Sequence, residues 1–168
     1  IESFSYSSIT EICIQKHVKV IDDSSFIACK NLKEVTFQND SELQVIGESA
    51  FYMAPIKSMK IPKNVKEIRK KAFSKCNRLN SFEFIEGCQI QYISENMLSM
   101  TTIKNIVIPN SVTIINDCAF YNCYKLRNVE ISESSKLEKI CHNSFSDCSI
   151  NKFYISPHFR SFEENSLS

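Results

Sequence analysis

An apolar residue recurs at Ile21, Ile46, Ile68, Ile93, Ile115, Ile140 and Phe162, in steps of 25, 22, 25, 22, 25 and 22. Five positions after each stands a second anchor: Phe26, Phe51, Phe73, Leu98, Phe120, Phe145 and Leu167, with Phe4 extending the column backwards. The residue before that anchor is small at Ser25, Ala50, Ala72, Ala119, Ser144 and Ser166, and only Met97 breaks the rule. Internal periodicity of this kind dictates a stack of like units, because one unit of 22 or 25 residues cannot bury its own apolar side.

Each unit also carries an apolar triplet: Ile9/Ile12/Ile14, Leu32/Val35/Phe37, Ile56/Met59/Ile61, Leu79/Phe82/Phe84, Ile103/Ile106/Ile108, Leu126/Val129/Ile131 and Ile150/Phe153/Ile155. The last two members alternate across one residue, the period of a half-buried strand, and they are β-branched or aromatic, as strands prefer. Three residues before the Ile anchor runs a further apolar column: Val18, Leu43, Val65, Ile90, Val112, Leu137 and Phe159. Short connections such as Ile61-Pro62-Lys63-Asn64-Val65 alternate with longer polar ones such as Gln38-Asn39-Asp40-Ser41-Glu42-Leu43. Proline, lacking a donor, suits the end of a strand ladder.

These columns predict an α/β leucine-rich-repeat solenoid: a right-handed, curved, parallel-β superhelix with short helical turns, mostly strand and loop. Residues 1–168 read as a single repeat domain of seven coils alternating 22 and 25 residues. At about 4.8 Å per strand the stack is on the order of 34 Å long. A main strand, a polar turn, a short second strand near Val65–Ile68 and a helical turn at the Ala-Phe segment make up one coil.

Residues 108–131, IPNSVTIINDCAFYNCYKLRNVEI, resemble the BspA-like leucine-rich repeat, which runs Ile-Pro, Val, Ile-Gly, Ala-Phe, Cys, Leu, Val, Ile. The likeness extends over essentially the whole chain. It departs at the Gly after the Ile anchor, kept only as Gly47, while Asp22, Arg69, Ser94, Asn116 and Cys141 stand elsewhere. The turn there is therefore expected not to demand positive φ. The resemblance implies a surface protein of the kind found in bacteria and anaerobic protist parasites, and adhesion to host or matrix proteins. The alternating lengths resemble the protist members most. Cell-surface or secreted placement follows from the same resemblance, with a cytoplasmic one as the alternative; a repeat fold alone fixes no function.

Composition narrows the chemistry. Lys+Arg number 20 against Asp+Glu 19, a net charge of +1. Nucleic-acid binding, which draws on a basic excess along phosphates, is not indicated. No apolar run approaches the roughly 20 residues of a membrane-spanning helix. Two glycines leave no Walker loop, and no Gly-x-Ser-x-Gly elbow is present. No catalytic, cofactor-binding or metal-ligating set emerges, so the chain is not read as an enzyme and no cofactor is expected.

Eight cysteines invite a disulfide reading that the repeat register opposes. Cys29, Cys76 and Cys123 share an interior column but lie two coils apart, roughly 10 Å, beyond disulfide reach. Cys123 and Cys148 are in adjacent coils and could bridge, yet a position filled elsewhere by Ala54 and Thr101 favours small buried thiols. Cys13, Cys88, Cys118 and Cys141 fall in four other columns. No Cys-x-x-Cys exists, and His17, His142 and His158 are distant from one another in the array, which argues for solvated turn histidines. Asn39-Asp40-Ser41 is a glycosylation sequon on a polar loop.

A partner would meet the outward side of the main strands. The residue between the last two strand anchors points away from the core: Cys13, Thr36, Lys60, Glu83, Val107, Glu130 and Tyr154. Two positions earlier stand Glu11, Glu34, Ser58, Ser81, Asn105, Asn128 and Lys152. Thr36, Lys60, Glu83, Val107, Glu130 and Tyr154 are the candidate protein-binding residues, with Tyr154 offering area and a polar tip at low entropy cost. The partner would be an extracellular-matrix or host-cell protein; an intracellular scaffold or assembly module would use the same surface. Both chain ends fall at one phase of the repeat, which reads as a piece of a longer array able to join end to end.

Overall fold

The computed structural model describes residues 4–168. Every coil contributes one main strand and one short strand. The main strands are β1 (Glu11–Ile14), β3 (Glu34–Phe37), β5 (Ser58–Ile61), β7 (Ser81–Phe84), β9 (Asn105–Val107), β11 (Asn128–Glu130) and β13 (Lys152–Phe153). The short ones are β2 (Val20–Ile21), β4 (Val45–Ile46), β6 (Glu67–Ile68), β8 (Tyr92–Ile93), β10 (Ile114–Ile115), β12 (Lys139–Ile140) and β14 (Ser161–Phe162). All pairings are parallel and in the register the columns predict: Ile12 faces Val35, Met59 faces Phe82, and Val129 faces both Ile106 and Phe153. The main face divides into β1-β3, β5-β7 and β9-β11-β13; the short strands form β2-β4-β6 and β8-β10-β12-β14.

The second anchor column becomes a ring stack. Phe4–Phe26, Phe26–Phe51, Phe51–Phe73 and Phe120–Phe145 lie parallel with centroids 5.2, 5.1, 5.3 and 4.8 Å apart. The spacing equals or slightly exceeds a strand step, as offset stacking allows. Leu98 interrupts the stack, and beside it Met97 replaces the usual small residue; both are fully buried. The larger neighbour fills what the smaller anchor vacates, a volume-conserving exchange. Ile155, Phe162 and Leu167, assigned to core columns by the repeat, are exposed on the last described coil.

The expected helical turn does not form: no residue from 4 to 168 is helical. Around each Phe anchor, alternate backbone N–H groups leave the coil. Those of Ser24, Phe26 and Ala28 donate to the carbonyls of Glu48, Ala50 and Tyr52 in the next coil. The intervening N–H groups of Ser25, Ile27 and Cys29 donate back three residues within their own coil. Phe51, Phe73, Leu98, Phe120 and Phe145 repeat the inter-coil pattern onto Ala72, Met97, Ala119, Ser144 and Ser166. A helix cannot form where every second donor is committed to a neighbouring coil.

That backbone path puts the residues two before and two after each anchor at φ between +51° and +62°. Ser24, Ser49, Lys71, Asn96, Cys118, Asn143 and Asn165 hold the first position, and Tyr6, Ala28, Met53, Lys75, Met100, Asn122 and Asp147 the second. Left-handed backbone costs an L-residue about 1–2 kcal/mol, which the inter-coil ladder offsets. The position directly after the Ile anchor is not left-handed, as expected. Gly47 is needed there for closeness: a Cβ would sit 2.4 Å from Asp23 N and 2.5 Å from Asp22 C.

The interior thiols reinforce the stack. Cys29 Sγ donates to Phe4 O at 2.9 Å, Cys76 to Phe51 O at 3.0 Å, Cys123 to Leu98 O at 3.1 Å and Cys148 to Phe120 O at 3.2 Å. All eight cysteines are free thiols. Serine is tolerated beside the Phe anchor because its hydroxyl turns back onto the chain: Ser25 donates to Asp22 O at 2.8 Å and Ser144 to Cys141 O at 2.7 Å. No buried side-chain nitrogen or oxygen among the described residues lacks a partner.

Candidate functional site

Strand alternation sends Val35, Met59, Phe82, Ile106 and Val129 inward and leaves Cys13, Thr36, Lys60, Glu83, Val107, Glu130 and Tyr154 exposed. Parallel register then lines these up: Cys13 faces Thr36, Lys60 faces Glu83, and Val107 faces Glu130. Tyr154 directly follows β13 and continues the row. Every one of the six candidate residues is on the solvent side of the main face. The column two residues earlier is exposed as well, except for half-buried Ser81.

The face has two chemically different halves. Toward the N-terminus a groove of about 720 Å³ runs past Glu11, Lys33, Glu34, Thr36, Lys57 and Lys60. Its charges are mixed, and at its edge Lys60 Nζ pairs with Glu83 Oε2 at 3.2 Å. Both side chains are largely solvated, so the pair contributes little to stability, about 0–1 kcal/mol. Toward the C-terminus two large side chains, one apolar and one aromatic, stand out among polar neighbours. Val107 is 58% exposed and Tyr154 67%. They line one groove of about 450 Å³ with Asn128, Glu130, Ser132 and Lys152. On the other side of Val107 a groove of about 550 Å³ opens toward Ile85, Gln89, Pro109 and Lys136. Within this C-terminal half Asn128 Nδ2 donates to Asn105 Oδ1 at 2.7 Å, an amide pair from adjacent coils.

The structure thus brings Thr36 and Lys60 into one groove, pairs Lys60 with Glu83, and gathers Val107, Glu130 and Tyr154 into another. Sequence reasoning passed over Ile85, which is 45% exposed between the two halves. Its signal was visible: equivalent positions hold Gln15, Gln38, Pro62, Pro109 and Ser132, so an isoleucine there is out of pattern. In the sequon loop Asn39 is exposed, but Ser41 is buried and accepts from Leu43 N–H.

A second cluster lies beyond the ends of the short strands β10, β12 and β14. Register places Cys141 beside Glu163, and Asp117 beside His142. One oxygen each of Asp117 and Glu163 and the Cys141 sulfur all lie within 4.8 Å of one another. His142 Nδ1 is 2.8 Å from Glu163 Oε2 and 3.8 Å from Asp117 Oδ1. His142 N–H donates to Asp117 Oδ1 at 3.1 Å, and the Lys139 ammonium contacts Glu163 Oε1. Burial and the Glu163 charge push the Cys141 thiol up, and the Lys139 hydrogen bond holds the Glu163 carboxyl below its ordinary range. His17, by contrast, is a solvated turn histidine paired with Glu42 at 2.8 Å. No helix among the described residues is long and apolar enough to cross a membrane.

The BspA type leucine-rich repeat region matches residues 1–126 and 91–168, in six copies. No curated protein matches the sequence. Among solved structures, a leucine-rich repeat protein from Eubacterium ventriosum superposes with a TM-score of 0.83 at 22% identity, covering 97% of this chain and 44% of that one. One from Bacteroides ovatus gives 0.79 at 23% identity, covering 92% of this chain and 45% of that one. A leucine rich cell surface protein from Faecalibacterium prausnitzii gives 0.53 at 18% identity, over 97% of this chain and 62% of that one. The chain spans less than half the length of the first two.

Proposed function

The chain belongs to the BspA-type leucine-rich repeat family, and we propose that it is the protein-binding module of a cell-surface adhesin, contacting a host or matrix protein through the outward face of its main strands. Solenoids of this type are repeat modules whose fold is typically non-enzymatic, which turns attention to surfaces. The observation that carries the reading is the pair Val107 and Tyr154. Exposed apolar side chains are ordinary when scattered, but these two line one groove with amide and charged groups around them. An aromatic anchor in a groove with a polar surround is the arrangement that concentrates binding energy. Cell-surface placement is supported by the family and by the surface protein that shares the fold.

The test is binding of the chain to immobilised matrix proteins, before and after replacing Lys60, Val107 and Tyr154 together with alanine. All three side chains are solvated, so the melting temperature should barely move. Affinity should fall roughly tenfold or more, given the weight aromatic anchors carry at interfaces. Unchanged affinity in the triple variant would remove this face from consideration.

A further inference from the structure

We propose that Asp117, Cys141, His142 and Glu163 form a zinc-binding site at the edge of the solenoid, on a different sheet from the partner face. Three successive coils supply the donors, and they are of three kinds: thiol sulfur, imidazole nitrogen and carboxylate oxygen. That mixture selects the ion. Calcium and magnesium take oxygen ligands almost alone, whereas zinc accepts sulfur, nitrogen and oxygen in fourfold coordination.

Asp117, Cys141 and Glu163 approach the spacing a tetrahedral ion needs, and His142, held against both carboxylates, would turn toward Cys141 to complete the set. Zinc bonds of about 2.0–2.3 Å put neighbouring donors roughly 3.3–3.7 Å apart. Here the sulfur and the two carboxylates lie within 4.8 Å of one another, and His142 Nδ1 is 2.8 and 3.8 Å from the carboxylate oxygens. Asp117 and His142 are exposed, so small side-chain rotations can close the remaining gap and the ion has an open route from water. Cys141, 6% exposed, gives the site a fixed floor.

The surrounding groups are those a bound zinc requires. His142 N–H orients the Asp117 carboxylate, and Lys139 holds the outer oxygen of Glu163 while leaving Oε2 toward the cluster. Such outer contacts orient ligands and tune affinity. On binding, a Zn–S bond forms and the Cys141 proton leaves to water. Two carboxylates and a thiolate overbalance Zn²⁺ by one negative charge, and the Lys139 ammonium offsets it.

The equivalent place four coils earlier makes the contrast. There Asp23 keeps the position of Asp117, but Gly47, Glu48 and Arg69 replace Cys141, His142 and Glu163. Arg69 Nη1 sits 3.2 Å from Asp23 Oδ1, so a guanidinium neutralises the carboxylate where the C-terminal coils assemble metal-binding donors.

The experiment uses the whole chain, freed of metal with a chelator, and titrates Zn²⁺ by calorimetry and Co²⁺ by absorption. One equivalent of each should bind, with Co²⁺ giving a thiolate-to-metal charge-transfer band. Cys141→Ser should abolish that band, and Asp117→Asn and His142→Ala should each weaken zinc roughly tenfold to a hundredfold. Cys13→Ser, which removes the exposed thiol, should change nothing. Persistence of the band in Cys141→Ser, its loss in Cys13→Ser, or zinc affinity indifferent to Asp117→Asn and His142→Ala would each overturn the assignment. Asp117 and His142 are exposed, so their variants fold and keep the test decisive even if Cys141→Ser does not.

Discussion

The Cys76 thiol donates to the Phe51 carbonyl at 3.0 Å, tying the side chain of one coil to the backbone of the coil before it. Burial pushes this thiol far above its ordinary range. In the unfolded chain it ionises near its reference value of about 8.5. Its folded pKa is the higher one, so its contribution is complete below about pH 8.5 and declines as pH rises above that. Denaturant titrations from pH 7 to 10 should show stability falling, and falling less steeply in Cys76→Ala. At neutral pH that variant should lose about 1 kcal/mol, for one hydrogen bond and a small cavity.

Thiol accessibility gives an independent check on the register. Cys13 is exposed, whereas Cys29, Cys76, Cys88, Cys123 and Cys141 are buried. Brief alkylation of the native chain, read by mass spectrometry, should label Cys13 first and leave the interior column unmodified until denaturant is added. Rapid labelling of Cys76 or Cys123 would contradict the stack.

The exchange at Met97 and Leu98 should behave as a coupled pair. Leu98→Phe alone overfills the core and should cost about 1–3 kcal/mol. Met97→Ala alone leaves a cavity and should cost about 2–5 kcal/mol. Together they restore the small-Phe pattern of the other coils, extending the rings from Phe73 toward Phe120. A double-mutant cycle by chemical denaturation should therefore give a total well below the sum of the singles.

Gly47 and Gly87 should respond differently to alanine. At Gly47 the new Cβ meets the backbone of the previous coil at 2.4 Å, and the two coils must separate. About 1–3 kcal/mol should be lost, as in other overpacked sites. At Gly87 the space is open and only the φ of +86° resists, so the loss should stay near 1 kcal/mol. Melting curves of the two variants order them directly.

The ring column from Phe26 to Phe73 and the outward row from Thr36 to Tyr154 were legible because side chains at like positions lie above one another, and periodicity reports that directly. The left-handed residues were not. Positive φ is normally announced by glycine or asparagine, yet here Lys71, Met53 and Ala28 adopt it. Inter-coil hydrogen bonds set the backbone there, whatever side chain it carries, and the Ala-Phe segment consequently resembled a helical turn it does not make. The cluster around Cys141 was missed for another reason. Its donors occupy neighbouring positions of adjacent coils and converge diagonally, whereas column reading compares only like with like.

The ladder beside the Phe column has a further consequence. Each of its bonds runs from an N–H of one coil to a carbonyl of the coil that follows, so the peptide dipoles add instead of cancelling. At the ends of the main and short strands the sense reverses, with Lys33 N–H donating back to Thr10 O and Gly47 N–H to Ile21 O. Prying two coils apart therefore bares hydrogens on the Phe side of one lip and oxygens on the Phe side of the other, with the opposite order at those strand ends. Such a breach reseals only when each stretch meets its own complement.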